Sequence, residues 1–413
     1  MSLSRNEMET LRNLAQQYME IAAQPKFKGK KELWLSLNRC DMQRPMLMID
    51  QMPWHELDVD GFLVNQVEDP YWRGVETNLR QTIYKLRYLP ADMVPQPFLI
   101  LPKPIFNTGY GLQIVDERSI QTDVKNDVKS HQFENQLLDY EDIEKIVTPK
   151  AILDKAAEAE IRQQAEILFQ GIAPFVMAGL GLHLGLWDFI TFWMGVENVY
   201  IDLMERPEFL HAVMEKLTVA TIEWIEQMNR DGLFDVYTQI CHCAHTFCDD
   251  LPSASCDKNA PTSRDTWAFG MAQLFTSVAP SVTAELEVAY MQRIFPYFGA
   301  IYYGCCDRLD DRLDVITRMP GIRKISCSPW SDREVFAERL PKGYVMSNKP
   351  NPALLATHTM DYGEVRADIR RTVEAARRFD VPLELVLKDI STVRYEPQRL
   401  WEWEKIAMEE LSR

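Results

Sequence analysis

Tyr302-Tyr303-Gly304-Cys305-Cys306-Asp307 decides the reading of this chain. It follows an aromatic, β-prone run (Phe295, Tyr297, Phe298, Ile301) and precedes an acidic, helix-like segment that begins near Leu309. That is the junction of a β/α unit, where a strand's carboxyl end meets its loop and where α/β proteins place their chemistry. Adjacent cysteines point to opposite sides of a strand, whereas in a loop both turn toward one pocket. A thiolate ligates soft metals and attacks electrophiles. Free cysteine is also among the most buried residue types, so packing stands beside the chemical reading.

Outward from this stretch the chain alternates regularly. Downstream, a helix over 309–318 leads to strands near 323–326 and 344–347, a helix over 363–379, a strand over 383–387 and a last helix over 399–412. Upstream, helix 151–169 precedes strand-like Ala173 to Ala178, and helix 207–231 ends at Gly232, a residue suited to a left-handed cap. A strand over Phe234 to Ile240 and a helix over 281–294 complete the rhythm. Such alternation over some 240 residues predicts a parallel sheet closed as a (β/α)8 TIM-type barrel, with a doubly wound open sheet as the rival. Before it, residues 1–40 read as an N-terminal helical extension, with helices over 4–24 and 30–37. The barrel spans 41–413, beginning with a buried strand at Met46 to Ile49. The segment at about 105–148, with its polar stretch Asp116 to Glu134, reads as an excursion.

Composition narrows the function. The 413 residues carry a net charge of −16 and are 46% hydrophobic. No Lys/Arg run is long enough to track a phosphate backbone, so neither nucleic acid nor an anionic membrane is expected as a partner. No segment approaches the ~20 apolar residues of a membrane span, and the N-terminus lacks an apolar leader. Eight cysteines in such a chain point to reduced thiols in a cytoplasm. Seven of them fall between 241 and 327, a bias that suggests a site.

The other ligand source is Cys241-His242-Cys243-Ala244-His245, followed by Cys248-Asp249-Asp250. A mixture of His and Cys suits zinc with an open coordination position. The expected set is Cys305 and Cys306 with His242 or Cys243; packed or hydrogen-bonded roles are the alternative. Asp249 and Asp307 are candidate acids or bases, with loop capping as the ordinary role. Tyr303 is a candidate proton donor, with packing as its ordinary role, and His55 follows the first strand. His183 and Trp187, in and after the Gly-rich loop Gly179 to Gly185, are candidates for holding a cofactor. Lys388 and Arg394 lie at the end of the last strand, where a barrel holds an anionic group.

The chain resembles the uroporphyrinogen decarboxylase superfamily, which also contains corrinoid-dependent methyltransferases. Four stretches carry the resemblance: Asp202-Leu203-Met204-Glu205-Arg206-Pro207-Glu208-Phe209, Val278-Ala279-Pro280, Tyr303-Gly304-Cys305-Cys306-Asp307 and Lys349-Pro350-Asn351-Pro352. The third is similar to the methyltransferases' H-x-C-G turn, and the fourth to the decarboxylases' N-x-D-P. The resemblance covers roughly residues 40–410, is strongest after 150, and is closest to a decarboxylase-like subgroup sharing Y-Y-G-C-C, S-P-W and K-P-N-P.

Departures from the pattern shape what it implies. The decarboxylases hold a polycarboxylate with arginines where this chain has Met48-Ile49-Asp50-Gln51-Met52-Pro53, and an acid there would repel such a substrate. The methyltransferases' zinc-binding His falls at Tyr303 and their later Cys at about Lys388-Asp389. The resemblance therefore implies a metal-assisted, corrinoid-dependent methyltransferase acting on a small methylated substrate. The corrinoid would sit on a separate corrinoid-binding protein, because the chain lacks a D-x-H-x-x-G motif; a second copy, as a homodimer, is a further expected partner. The alternatives are a decarboxylase or lyase on another carboxylate, and a non-catalytic protein that binds a tetrapyrrole, corrinoid or metal.

Overall fold

A computed structural model describes residues 3–121, 125 and 129–413. Met1, Ser2 and six residues of the polar stretch expected as part of the excursion lie outside the described residues.

Nine strands frame the site: β1 Met46–Ile49, β2 Leu99–Pro102, β3 Phe175–Ala178, β4 His183–Leu184, β5 Trp267–Gly270, β6 Ala300–Tyr303, β7 Ile322–Cys327, β8 Val345–Asn348 and β9 Leu383–Leu387. Seven form one parallel sheet in the order β1-β9-β8-β7-β6-β5-β4. β2 pairs in parallel with β3, which runs through Gly179 to Leu182 directly into β4. A single parallel bridge, Leu180 to Phe234, touches the next segment. The sequence-read alternation is thus realised as a parallel α/β sheet compatible with a TIM-type fold. No pairing among the described residues joins β2 to β1, so hydrogen-bonded barrel closure is not seen.

The strands are short, apolar and covered on both faces, as parallel strands require. Side chains alternate between two cores because the strand period is two. Leu47, Ile49, Ala268, Ile301, Tyr303, Leu385 and Leu387 pack against the outer helices. Met46, Met48, Trp267, Phe269, Tyr302 and Val386 face inward, toward Trp34, Phe247 and the N-terminal helix Arg5–Ala22. That helix starts on a capping box between Ser4 and Glu7. The long helix Pro207–Asp231 ends, as expected, at Gly232 in the left-handed conformation. No helix among the described residues is long and apolar enough to cross a membrane.

Three local expectations are corrected. The aromatic run before the quoted stretch is not strand: Phe295–Tyr297 is a 3-10 turn ending the preceding helix, and the strand begins at Ala300. Burial explains the confusion, because Phe295 and Phe298 wedge into the outer core and so look β-like in composition. Phe234 to Ile240 is irregular: beyond the Phe234 bridge to Leu180, Ile240–Cys241 pairs antiparallel with Ala244–His245. The helix expected over 309–318 is limited to Leu313–Ile316. In the 105–148 region, Ile105–Asn107 pairs antiparallel with Ala151–Leu153, and Asp116–Ile120 with Ser130–Phe133.

Candidate active site

The carboxyl ends of β1, β5, β6 and β9 converge on a cavity of about 470 Å³. Gln51, His183, His242, Phe269, Met271 and Cys305 are on its wall, with Lys388 and Asp389 beside them. At the end of β6 the chain turns at Gly304, whose φ of +88° is the left-handed region. A Cβ there would lie 2.6 Å from Leu309 Cδ1 and 3.1 Å from Ser326 Cβ, so glycine is required twice over. Asp307 Oδ1 accepts the Cys305 amide at 2.7 Å, and Ser326 Oγ donates to the Cys305 carbonyl at 2.7 Å. The turn holds both cysteines toward the last strand. Gly304→Ala is expected to destabilise the fold by about 2 kcal/mol or more; an unchanged chemical-denaturation midpoint would refute that.

Cys305 is buried, and Lys388 Nζ donates to its Sγ at 3.2 Å. Cys306 Sγ lies 3.6 Å from Cys305 Sγ and 3.1 Å from Asp389 Oδ2, so its one proton serves either the neighbouring sulfur or the carboxylate. Lys388 Nζ also reaches Asp389 Oδ2 at 2.6 Å. Asp389 takes a left-handed φ of +55°, as does Gln51 at +48°, and Ile390 N donates to the Gln51 carbonyl at 3.1 Å. These strained residues lace the β9 and β1 loops together and aim the carboxylate at Cys306.

The two thiols are shifted in opposite directions. The hydrogen bond from Cys306 and the Lys388 ammonium hold the Cys305 thiol below the ordinary thiol range, against the opposing effect of burial. Cys306 is pushed far up, first by its bond to Cys305 and then by burial. Burial works against the Lys388 ammonium, but the charges of Cys305 and Asp389 outweigh it and raise its pKa. Beneath them, buried Lys349 donates to Tyr302 Oη and, at 3.1 Å, to Ser347 Oγ. Burial lowers its pKa to about 8.

Among the described residues, Cys305, Cys306 and Asp389 offer ligand atoms that all lie within 4.8 Å of one another. The expected partners of the cysteines are placed differently. His242 and Cys243 occupy a tight turn with φ of +45° and +68°. His242 shares the cavity wall but stacks on Phe269, with ring centroids 3.8 Å apart. Burial, then the Lys349 and Lys388 charges, keep it neutral. Cys243 is buried, and burial pushes its thiol up to about 12.

Of the remaining candidates, Lys388 and His183 reach the cavity wall and Asp307 orders the Cys305 turn. Tyr303 points to the other face of the sheet and donates to Glu287 Oε1 at 3.1 Å. Trp187 is fully buried and donates to the Leu286 carbonyl at 3.1 Å. Asp249 pairs with Arg39 at 3.0 Å on the surface. His55 lies 3.6 Å from Glu56 Oε1 and meets the Tyr395 ring edge-on. Arg394 is exposed, in a left-handed conformation, and outside the cavity lining. Sequence reasoning missed Asp389 as a thiol partner and Lys349 as the cation below. The Lys388-Asp389 pair at a strand end was the available signal.

No family model matches the chain, and no curated protein matches it. Among solved structures, a methyltransferase from Methanosarcina mazei is similar, with a TM-score of 0.52 at 11% sequence identity. The match covers 93% of this chain and 98% of that one. At that identity the likeness is one of fold.

Proposed function

We propose that this chain is a methyltransferase of the uroporphyrinogen decarboxylase superfamily type, a closed-barrel relative of the structure it resembles, centred on Cys305. The observation that carries the reading is the Cys305 thiol, with Cys306 and the Lys388 ammonium against its sulfur, at the wall of a small-molecule-sized cavity on a fold shared with a methyltransferase. The substrate is a small methyl donor or acceptor. A corrinoid stays on a partner protein, over the cavity mouth, because the cavity suits a small ligand rather than a macrocycle.

The donor set fits zinc: two sulfurs and one carboxylate converge, leaving a coordination position open. Cys305, Cys306 and Asp389 would hold the ion, and Lys388 would give way to it. When bound, the metal supplies a Lewis acid that activates a thiol, hydroxyl or methoxy oxygen. The protein's own groups do the rest. Before a metal enters, Lys388 eases ionisation of Cys305 and Asp389 stands ready to take the Cys306 proton, while Phe269, Met271 and Trp267 give the methyl group an apolar wall. A carboxy-lyase built on Lys388 and Arg394 is less well supported, since only Lys388 reaches the cavity.

The test is elemental mass spectrometry on anaerobically purified, tag-free protein, alongside methyl transfer from free methylcobalamin to a simple thiol such as 2-mercaptoethanol. About one zinc per chain, lost in Cys305→Ser together with transfer, is expected. Neither zinc nor transfer in the wild-type protein would overturn the reading. Activity on a carboxylate that survives Cys305→Ser would favour the lyase instead.

A further inference from the structure

His183 shares the cavity wall with Cys305, Asp188 stands behind His183, and the proposed reaction has so far left both without a role. His183 lies at the sheet's last strand, β4, with its imidazole on the cavity wall and tilted against Phe269 at 4.8 Å. Asp188 stands in the first turn of helix Leu186–Met194, where the helix end favours a negative group. The two reach toward each other, His183 Nε2 to Asp188 Oδ2 at 4.0 Å.

Gly185 lies between them. A Cβ on Gly185 would stand 2.8 Å from His183 Nε2 and 3.0 Å from Asp188 Oδ2. Two polar atoms therefore converge on a space that exists only because residue 185 has no side chain. Its size suits one small bridging group, such as a water.

We propose that His183 and Asp188 form the proton-transfer pair of this cavity, with His183 taking the proton released by a thiol or hydroxyl methyl acceptor and Asp188 receiving it. The balance is simple. As the acceptor's S–H or O–H bond breaks and its S–CH3 or O–CH3 bond forms, the proton passes to His183 Nε2, then across the Gly185 gap to the Asp188 carboxylate, and so to solvent. The proposal rests on the methyl-transfer reading; His183 is the catalytic base and Asp188, acting through it, a positioning residue.

The charge environment suits the roles. The His183 side chain is 55% exposed at its outer side, and desolvation of the rest against the cavity wall lowers it, leaving the imidazole neutral and basic near pH 7. Burial, with repulsion from Asp307, pushes Asp188 up to about 7. The groups facing the pair are Asp307 from the β6 loop, Glu287 from the helical turn Ala284–Val288, itself raised by burial, and His242 across Phe269. Below pH 7 Asp188 is protonated and cannot receive; above it, the carboxylate is ready. Transfer should therefore rise with pH through about 7.

The experiment uses wild type, Asp188→Asn and Gly185→Ala, each checked for an unchanged denaturation midpoint. Two readouts run in parallel: transfer from methylcobalamin to 2-mercaptoethanol between pH 5.5 and 9, and the ¹⁵N NMR titration of the His183 ring. Asp188→Asn is expected to lose the rise near pH 7 and slow transfer roughly 100-fold at pH 8. It should also remove the Asp188-linked step from the His183 titration. Gly185→Ala should reproduce both effects by filling the gap, while Cys305 alkylates at the wild-type rate. An active Asp188→Asn that keeps the rise, or a His183 titration indifferent to the substitution, overturns the pair. A wild-type protein that transfers no methyl instead overturns the parent reading, and the NMR titration still decides whether the two residues are linked.

Discussion

Replacing Lys388 by methionine is expected to slow alkylation of Cys305 by iodoacetamide at pH 7 roughly 10- to 100-fold. Alkylation needs the thiolate, and Lys388 at 3.2 Å is the cation that favours it inside a buried site. Methionine keeps the length and the apolar stem of lysine, so the packing changes little while the charge goes. The pH dependence has a definite sign. A thiol held below its ordinary range stays charged to lower pH, so wild type keeps its reactivity as pH falls and loses it only through the lowered value. In Lys388→Met the loss comes at higher pH. Peptide mapping by mass spectrometry separates Cys305 from the other seven cysteines. Zinc should protect Cys305 in wild type, because metal and alkylating agent compete for one sulfur. Superimposable pH profiles for the two proteins would show that Lys388 does not control the thiol.

Lys324→Met should cost about 3–5 kcal/mol of folding stability, the largest effect expected away from the cavity. Lys324 and Glu384 project from β7 and β9 into the inner face of the sheet, and both side chains are 0% exposed. Lys324 Nζ donates to Glu384 Oε2 at 2.5 Å and to the His245 carbonyl at 2.8 Å, and lies 5.2 Å from the centre of the Trp34 ring. Removing the cation strands a buried carboxylate whose second oxygen, Oε1, already has no hydrogen-bond partner among the described residues. Much of the loss is therefore the cost of an unpaired charge rather than the worth of the pair. The double variant Lys324→Met with Glu384→Leu should recover much of it, because apolar residues of similar volume replace such pairs with little net change. Urea denaturation of the three proteins measures this. A single variant within about 1 kcal/mol of wild type, or a double variant no better than the single, would contradict it.

Both predictions concern residues whose partners lie far away along the chain, and that marks what the sequence conveys. The short apolar strands, the long helix closed by Gly232 and the alternation after residue 150 are local patterns, and they sufficed for a parallel α/β fold. The place of Cys305 in a loop after a strand was legible for the same reason: its type and its position in a β/α unit are both local. The set around it was not. Lys388 and Asp389 are 83 residues from Cys305 and Cys306, respectively, and meet them only because β6 and β9 end at one mouth. His242 and Cys243, closer in sequence and richer in ligand character, sit in a tight left-handed turn with His242 stacked on Phe269, outside the convergent Cys305, Cys306 and Asp389 set. Trp187 shows the same limit, since its position two residues after a glycine says nothing about the Leu286 carbonyl that holds it. The sequence alone determined that short apolar strands alternate with helices in a covered parallel sheet, and that Cys305 follows one of them. Only the tertiary structure decided which charges face that cysteine, because a side chain's electrostatic partners follow from where strands end in space.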